Sequence, residues 1–350
     1  MPPTINRRNA LEMCATAAGS PIIASCSGQP EPPSPEQRTY SSPGPDPNYV
    51  RNLTPGPTPV RLACMTGDTM LNYPETGGIT EMVMRIRERG YTAANASYPI
   101  GRRNRWLDAP ESDIAELKQA LAEHDVDFFD TMVWTNLLHP DETTRQKNLK
   151  YVSEAVEAAD RVGCRMVTLV TGSRSTGMYT QIHPDNWTAE TWALSIDSLR
   201  QIIRDTAGCK TALGVEACVT TNIDRPEANA RIVEDVGDPR CRVCLDPTNM
   251  MSLAHYYQSP QLLDRCFDLM GEHILGCHAK DYNLLDRMYV NLVEVPPGKG
   301  IQDYETYLVR LSRLSWPRTL MLEHFPAEEY PAAKAFIEQA ARNVGVAIYA

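Results

Sequence analysis

The 350-residue sequence lacks several features that would assign it at once to a large functional class. After residue 30 it has no apolar run close to the roughly 20 residues that a membrane-spanning helix needs. It also has no basic excess, because its formal net charge is −10, and a nucleic-acid partner needs a basic protein face. The 42% of hydrophobic residues and 22% of charged residues are ordinary for a globular protein.

The glycine-rich phosphate-binding motifs of nucleotide-binding folds are also missing. No GxGxxG follows the first predicted strand, and GxxxxGK[ST] occurs nowhere in the chain. The ten cysteines show no spacing typical of a small disulfide-bonded domain. Cys241 and Cys244 form a CxxC pair, but within a strand their side chains point to opposite faces, so we interpret both as structural.

The N-terminal 26 residues resemble a bacterial export signal. Arg7 and Arg8 precede a short apolar stretch, as in a twin-arginine signal, and the IASC sequence ending at Cys26 resembles a lipobox. Ala10 and Pro21 depart from these patterns, and the alternative is a disordered tail with a chance arginine pair. We expect an exported protein, periplasmic or held at a membrane by a lipid anchor.

Residues 27–59 are rich in proline, serine and glycine and have little apolar content. Such a composition cannot bury enough apolar surface to fold, so we predict a disordered linker. The folded domain is predicted to span residues 60–350.

From residue 60 onward, apolar strand patterns alternate with amphipathic helix patterns. Predicted helices include 78–89, 112–124 with Ser112 as the N-cap, and 141–162. The pattern gives eight strand–helix pairs, which predicts an α/β fold with a parallel sheet. This number of pairs favours a (β/α)8 TIM barrel over an open doubly wound sheet.

Four of the predicted strands, at 211–217, 242–249, 274–281 and 319–325, carry a metal-binding side chain near the C-terminal end. We call these residues the strand-end cluster: Glu216, Asp246, His278 and Glu323. The C-terminal strand ends of a TIM barrel form the rim where active sites lie. Three carboxylates and one imidazole suit a divalent ion, and without one the carboxylates would repel each other. Taken singly, each acid could instead cap a helix, and the histidine could be a hydrogen-bonded core residue.

The motifs around this cluster resemble those of the xylose isomerase-like TIM barrels, the sugar phosphate isomerase/epimerase superfamily. The pattern is closest to the branch that contains D-tagatose 3-epimerase-like enzymes. The motifs are GVEA at 214–217, LDPTN at 245–249, HAKD at 278–281, PGKG at 297–300 and LEH at 322–324. The resemblance spans most of residues 60–345 and is strongest in the second half.

The resemblance implies that Glu216, Asp246, His278 and Glu323 hold one divalent ion. We expect Mn²⁺ first, with Mg²⁺, Co²⁺ or Zn²⁺ as alternatives. It further implies that Glu216 and Glu323 act as an acid/base pair: one removes a proton beside a metal-polarised sugar carbonyl, and the other returns a proton to the enediolate. We therefore expect a metal-dependent sugar isomerase or epimerase.

Three positions depart from the epimerase pattern. Asn249 stands where many epimerases have histidine, Asn222 where they often have a second glutamate, and Leu284 where they often have arginine. Because the resemblance places these positions against the substrate, epimerisation of a free ketose is in question, whereas the metal site is not.

Five side chains are predicted to contact the substrate: Lys280, Trp134, His139, Asn249 and Asn222. Lys280 has an alternative role in pairing with a rim carboxylate, and Trp134 an alternative place in the core. His183 and Trp187, like Trp134, could either contact the sugar or lie in the core. We interpret the cluster of Arg102, Arg103 and Arg105 as a solvated loop in preference to a phosphate site.

Three other functions stay open. A lyase would use the same enolisation to eliminate an aglycone from a 3-keto-glycoside, and a sugar-binding lipoprotein would lack catalysis. An abasic-site endonuclease shares the fold, but it uses a basic DNA face and more histidines than the seven present here. The sequence indicates a small-molecule carbohydrate partner and membrane contact only through an N-terminal lipid anchor; it leaves a homo-oligomer open.

Overall fold

Eight parallel strands form a closed barrel in the computed structural model, which describes residues 46, 48–66, 78–96, 106–315 and 318–349. The barrel order is β1-β10-β7-β6-β5-β4-β3-β2. The barrel strands are β1 (Arg61–Cys64), β2 (Ala93–Asn95), β3 (Asp127–Met132), β4 (Met166–Leu169), β5 (Ala212–Val215), β6 (Cys241–Leu245), β7 (Ile274–Ala279) and β10 (Thr319–Leu322). The predicted (β/α)8 barrel is confirmed.

Eight α-helices in the described residues pack around the barrel. They are α1 (Ile79–Glu88), α2 (Glu111–Glu123), α3 (Glu142–Arg161), α4 (Ala189–Asp205), α5 (Pro226–Val236), α6 (Ser259–Met270), α7 (Tyr304–Ser312) and α8 (Tyr330–Val344). Asp141 and Thr188 cap α3 and α4 through side-chain hydrogen bonds. The predicted cap Ser112 is wrong: Pro110 occupies that position, and acidic Glu111 opens the helix, where the helix dipole favours it.

A small apolar cluster fills the barrel interior: Ala63, Ala93, Phe129, Met166, Cys244 and Met321. Cys241 belongs instead to the larger core between the strands and the helices, so the CxxC pair does point to opposite faces. Two glycines make room for the large side chains. A Cβ added to Gly276 would lie 1.9 Å from the ring of Phe129, and one added to Gly214 would lie 2.2 Å from the sulfur of Met166.

An antiparallel hairpin that the sequence patterns did not predict follows β7. Its strands are β8 (Asp281–Leu284) and β9 (Leu292–Val295). Asp281 fixes the loop after the hairpin by accepting hydrogen bonds from the backbone N–H groups of Gly298, Gly300 and Gln302 at 2.8–3.1 Å. The glycines of the PGKG motif therefore allow the backbone to come close to the buried carboxylate of Asp281.

Residues 48–59 lie along the outside of the barrel, although their composition predicts a linker. The Tyr49 hydroxyl donates to Asp264 at 2.7 Å, and the Arg51 guanidinium donates to Asp303 at 2.8 Å. Further on, the backbone N–H groups of Gly56 and Thr58 donate to Ser312. The folded part of the chain therefore begins before the predicted boundary at residue 60. The prediction missed this because contacts with α6 and α7 cannot be recognised from amino-acid composition.

The predicted signal segment, residues 1–26, and the linker up to residue 45 lie outside the described residues. Among the described helices, none has the length and apolar content needed to cross a membrane.

The interior packing predicts an order of stability for two alanine variants. Gly276→Ala places a methyl group against the rigid ring of Phe129, and we expect it to destabilise the barrel by about 3 kcal/mol. Gly214→Ala meets the flexible side chain of Met166, and we expect a loss of only about 1 kcal/mol. Urea unfolding of both variants measures the difference, and equal losses would contradict this account.

Candidate metal centre

The strand-end cluster is assembled by four neighbouring barrel strands. Glu216 follows β5, Asp246 follows β6, His278 lies in β7 and Glu323 follows β10. All four side chains are buried, and one ligand atom from each lies within 4.8 Å of all the others. The structure thus brings together the four residues that the sequence singled out.

His278 faces the cluster with one ring nitrogen and the barrel interior with the other. Nε2 lies 3.1 Å from Asp130 Oδ2, whereas Nδ1 lies 3.0 Å from Glu323 Oε1 and 3.6 Å from Glu216 Oε2. Burial lowers the pKa of His278, but its anionic neighbours, among them Glu323, Glu216 and Asp130, raise that pKa by more, so the imidazole carries a proton on both nitrogens. A metal ion at Nδ1 would take the place of one of these protons, while Nε2 still donates to Asp130.

Asp130 reaches His278 because β3 contains a bulge. Ala94 pairs with Phe128, but the next residue, Asn95, pairs with Asp130, which leaves Phe129 as the extra residue. A bulge breaks the alternation of side chains between the two faces of a strand. Phe129 can therefore pack in the barrel interior while its neighbour Asp130 contacts His278.

Lys280 balances part of the negative charge. Its buried Nζ lies 2.8 Å from both Asp246 Oδ2 and Glu323 Oε1, so the rim-carboxylate role is realised in the structure. Burial lowers the pKa of Lys280, but the surrounding carboxylates, led by Asp246 and Glu323, raise it by more. Lys280 therefore remains an ammonium ion inside the site.

The two candidate acid/base residues differ in their affinity for protons. Burial raises the pKa of Glu216 to about 6, against the opposing effect of His278 and Lys280. Burial acts in the same direction on Glu323, but His278 and Lys280 outweigh it and hold the pKa of Glu323 well below its usual range. Such divergence is what an acid and a base within one site require.

Five buried atoms of the cluster have no hydrogen bond of normal geometry, although Lys280 approaches two of them as an ion pair. They are Glu216 Oε2, Asp246 Oδ2, His278 Nδ1 and both carboxylate oxygens of Glu323. Once a metal ion has taken the place of the Nδ1 proton of His278, the three carboxylates and one ammonium of the cluster carry two net negative charges. A divalent ion would satisfy the orphaned atoms and neutralise this charge, so the residues fit such an ion.

Asn249 lies in the site, whereas Asn222 is engaged elsewhere. The Asn249 side-chain amide donates to Glu216 Oε1, and its backbone N–H lies 3.4 Å from Asp246 Oδ1. The Asn222 amide instead accepts from Thr171 at 2.9 Å and donates to Ser195 at 2.8 Å. Asn222 therefore links the loop after β5 to the loop after β4 and to α4, with both ends of its amide occupied inside the protein.

The predicted aromatic wall contains Trp134 and a partner that the sequence did not identify. Tyr179 stacks on Trp134 with ring centroids 6.1 Å apart and planes within 6°. Burial raises the pKa of Tyr179, and the negative charge of Glu216 acts in the same direction. His139 instead accepts a hydrogen bond from the backbone N–H of Asp141 at the start of α3.

His183 and Trp187 have structural partners in their own region. His183 accepts from the N–H of Asp185 at 3.3 Å, and the Trp187 indole donates to Asp224 at 2.8 Å. The predicted loop with Arg102, Arg103 and Arg105 lies outside the described residues.

Four residues at or beside the site were not found by sequence reasoning: Asp130, Tyr179, Glu294 and His324. His324 has a left-handed backbone, with φ of 67°, and its Nδ1 lies 3.4 Å from Glu294 of the hairpin. Glu294 also lies 3.6 Å from Lys280. Only Asp130 left a signal in the sequence, as a carboxylate in the middle of an apolar strand.

Removal of one cluster carboxylate tests the metal site. We expect wild-type protein to retain about one divalent ion per chain after loading and desalting, and Asp246→Asn to weaken the affinity at least about 100-fold. Mass spectrometry measures the metal content. Asp264→Asn, which changes an acid on α6 that pairs with Arg310, serves as the control. Equal metal content in the two variants would contradict the assignment.

The contact of Asp130 with His278 gives a second prediction. Asp130→Asn weakens the acceptor of the Nε2 proton, so we expect metal affinity to fall about tenfold to a hundredfold. Titration against a competing chelator measures this, with Asp127→Asn as the matched control, because Asp127 lies on the same strand but pairs with Arg165. An affinity loss shared by the control would indicate a general effect on β3.

Comparison with known proteins identifies the family to which the barrel belongs. The sequence model of the family described as "Xylose isomerase-like TIM barrel" matches residues 83–340. No curated protein sequence matches the chain.

Solved structures of low sequence identity share the fold. A 3-keto-D-glucoside 4-epimerase from E. coli is 18% identical with a TM-score of 0.58, over 80% of this chain and 99% of that one. A D-tagatose 3-epimerase-like protein is 15% identical with a TM-score of 0.58, over 82% and 98%. A probable 3-DHS dehydratase from Bacillus anthracis is 14% identical with a TM-score of 0.61, over 80% and 98%.

The resemblance inferred from the motifs is thus confirmed, since the family match covers most of the chain. The protein belongs to the xylose isomerase-like TIM barrel family.

Proposed function

We propose that this protein is a divalent-metal-dependent sugar isomerase or epimerase. The observation that carries the proposal is the pair of buried carboxyls, Glu216 and Glu323, which lie 3.6 Å and 3.0 Å from His278 Nδ1 within the strand-end cluster. Membership of a family whose solved neighbours include sugar epimerases supports the same reaction class.

The residues divide the chemistry between them. A divalent ion held by the strand-end cluster supplies the positive charge that polarises the sugar carbonyl and makes the adjacent C–H acidic. We assign Glu323 to accept that proton and Glu216 to donate a proton to the resulting enediolate, because the two carboxyls lie on separate strands and both reach His278 Nδ1. Return to the same carbon from the other face gives epimerisation, and return to the neighbouring carbon gives isomerisation.

The remaining contacts position these groups. Asn249 holds one oxygen of Glu216, so that the other oxygen faces the cluster. Lys280 keeps Glu323 ionised through their ion pair. Trp134 and Tyr179 provide a flat apolar wall for a sugar ring, and among the candidate ions the nitrogen and oxygen donors suit Mn²⁺ first.

A lyase acting on 3-keto-glycosides is the second candidate. After the same deprotonation by Glu323, the carbon–oxygen bond to the aglycone would break, and Glu216 would protonate the leaving oxygen. Asn249 and Leu284 in place of the histidine and arginine of many epimerases favour this outcome. One solved neighbour acts on a 3-keto-glucoside and another is a probable dehydratase, which is consistent with it.

Solvent deuterium exchange tests the proposal. Metal-loaded protein in D₂O, given ketoses, aldoses and 3-keto-glucosides in turn, should place deuterium beside the carbonyl of at least one sugar. We expect Glu323→Gln and Glu216→Gln each to reduce the exchange about 10³-fold, whereas Glu305→Gln on α7 should leave it unchanged. Metal content is measured alongside, since both carboxylates also belong to the cluster.

The products separate the candidate functions. Deuterated sugar without bond cleavage supports an isomerase or epimerase, and release of a free aglycone supports the lyase. Sugar binding with neither exchange nor cleavage, in protein that carries metal, would leave a non-catalytic sugar-binding lipoprotein as the better description.

A further inference from the structure

The most exposed large apolar side chains of the described residues all lie at the catalytic end of the barrel. Six that are more than half exposed occupy loops after β4, β6 and β7, and we call them the apolar rim: Met178, Ile182, Leu253, Tyr257, Met288 and Tyr289. These loops follow the C-terminal strand ends, which also carry the strand-end cluster. An exposed apolar surface of this kind marks an interaction site.

Contacts between neighbouring loops tie together the segments that carry the rim. The backbone N–H of Val219, after β5, donates to Asn249 after β6, and the Asn186 amide, after β4, donates to Thr220 after β5. Tyr256 packs edge-on against both Tyr257 and Tyr282, so the loop after β6 also touches the hairpin. The apolar residues are therefore carried by loops that support one another.

The chain enters the described part of the fold at this same end. Tyr49 and Arg51 contact Asp264, in the second turn of α6, and Asp303, the N-cap of α7. In this barrel each helix starts at the C-terminal strand ends. Thr58 then contacts Ser312 and Leu314 at the far end of α7, before β1 begins. The segment thus runs from the catalytic end to the opposite end.

Val50 is consistent with this arrangement. It is also more than half exposed, and it lies between Tyr49 and Arg51 at the catalytic end. In contrast, the exposed apolar residues on the outer helices, Met84, Tyr151 and Phe336, are all less than half exposed.

We propose that the apolar rim rests on a lipid bilayer, with the mouth of the active site facing the membrane surface. Cys26, the lipidation site that the sequence suggests, precedes Asp46 by 20 residues, which span at most about 65 Å. Because the described chain begins at the end that carries the rim, a lipid anchor at Cys26 would be connected to the barrel through that end. Methionine, isoleucine, leucine and tyrosine side chains suit shallow insertion at the headgroup boundary.

A bilayer explains the arrangement better than a second copy of the chain does. A dimer would bury the rim but would give no reason for the N-terminal segment to begin at the same end. The net charge of −10 means that apolar insertion, and not attraction to anionic lipid, has to supply the binding.

Vesicle sedimentation with full-length protein tests the proposal. Cys26→Ser removes any lipid anchor, so that the rim alone is measured on phosphatidylcholine vesicles. In this background Met288→Ser with Tyr289→Ser should reduce the partition coefficient at least about tenfold, because two apolar side chains no longer insert. Met84→Ser with Tyr151→Ser changes the same two residue types on α1 and α3, away from the rim, and should leave the partition coefficient unchanged.

Each outcome is informative. A tenfold loss confined to the rim variant, with unchanged thermal unfolding and no gain from added phosphatidylglycerol, supports the proposal. Failure of the Cys26→Ser protein to bind vesicles, or equal losses in both double variants, overturns it. Sedimentation velocity that shows a dimer broken only by the rim variant, without vesicle binding, would assign the rim to contact between copies. These measurements do not depend on any sugar being turned over.

Discussion

Repulsion among three buried carboxylates is the constraint on which the catalytic end of this protein depends. Glu216, Asp246 and Glu323 have ligand atoms within 4.8 Å of one another, in an environment that water does not screen. Each surrounding feature reduces that cost. Lys280 pairs with two of the acids, Asn249 donates to the third, and backbone N–H groups approach Asp246. The negative charge that these contacts leave on the cluster is the reason why the site fits a divalent ion.

The barrel below the cluster holds these groups in place. The ring of Phe129 packs against Gly276, two residues before His278 on β7, so the strand that carries the histidine is held by close packing. The bulge at Phe129 serves both functions, because it keeps the ring in the interior and brings Asp130 to His278. Interior packing and the orientation of the histidine are therefore linked through one irregular pair of residues.

The alternation of strands and helices could be predicted from the sequence. It depends on local periodicity and on turn residues, and both are present within each segment. The elements that were missed depend on partners distant in the chain. The hairpin of β8 and β9 and the docking of residues 48–59 are examples: Tyr49 and Asp264 are 215 positions apart. The start of α2 was also missed: the helix begins at Glu111 after Pro110, and no side-chain cap hydrogen bond marks that position.

By itself, the sequence determined the barrel and the residues of the strand-end cluster, because each apolar strand ends in its own metal-binding side chain. Only the tertiary structure decided how those residues are tuned. In the folded barrel, Lys280 forms ion pairs with Asp246 and Glu323, and Asp130 contacts His278. Tyr179 stacks on Trp134, and Asn222 is hydrogen-bonded to Thr171. The physical reason is that charge balance and pKa depend on distances between strands, and these distances exist only once the barrel has closed.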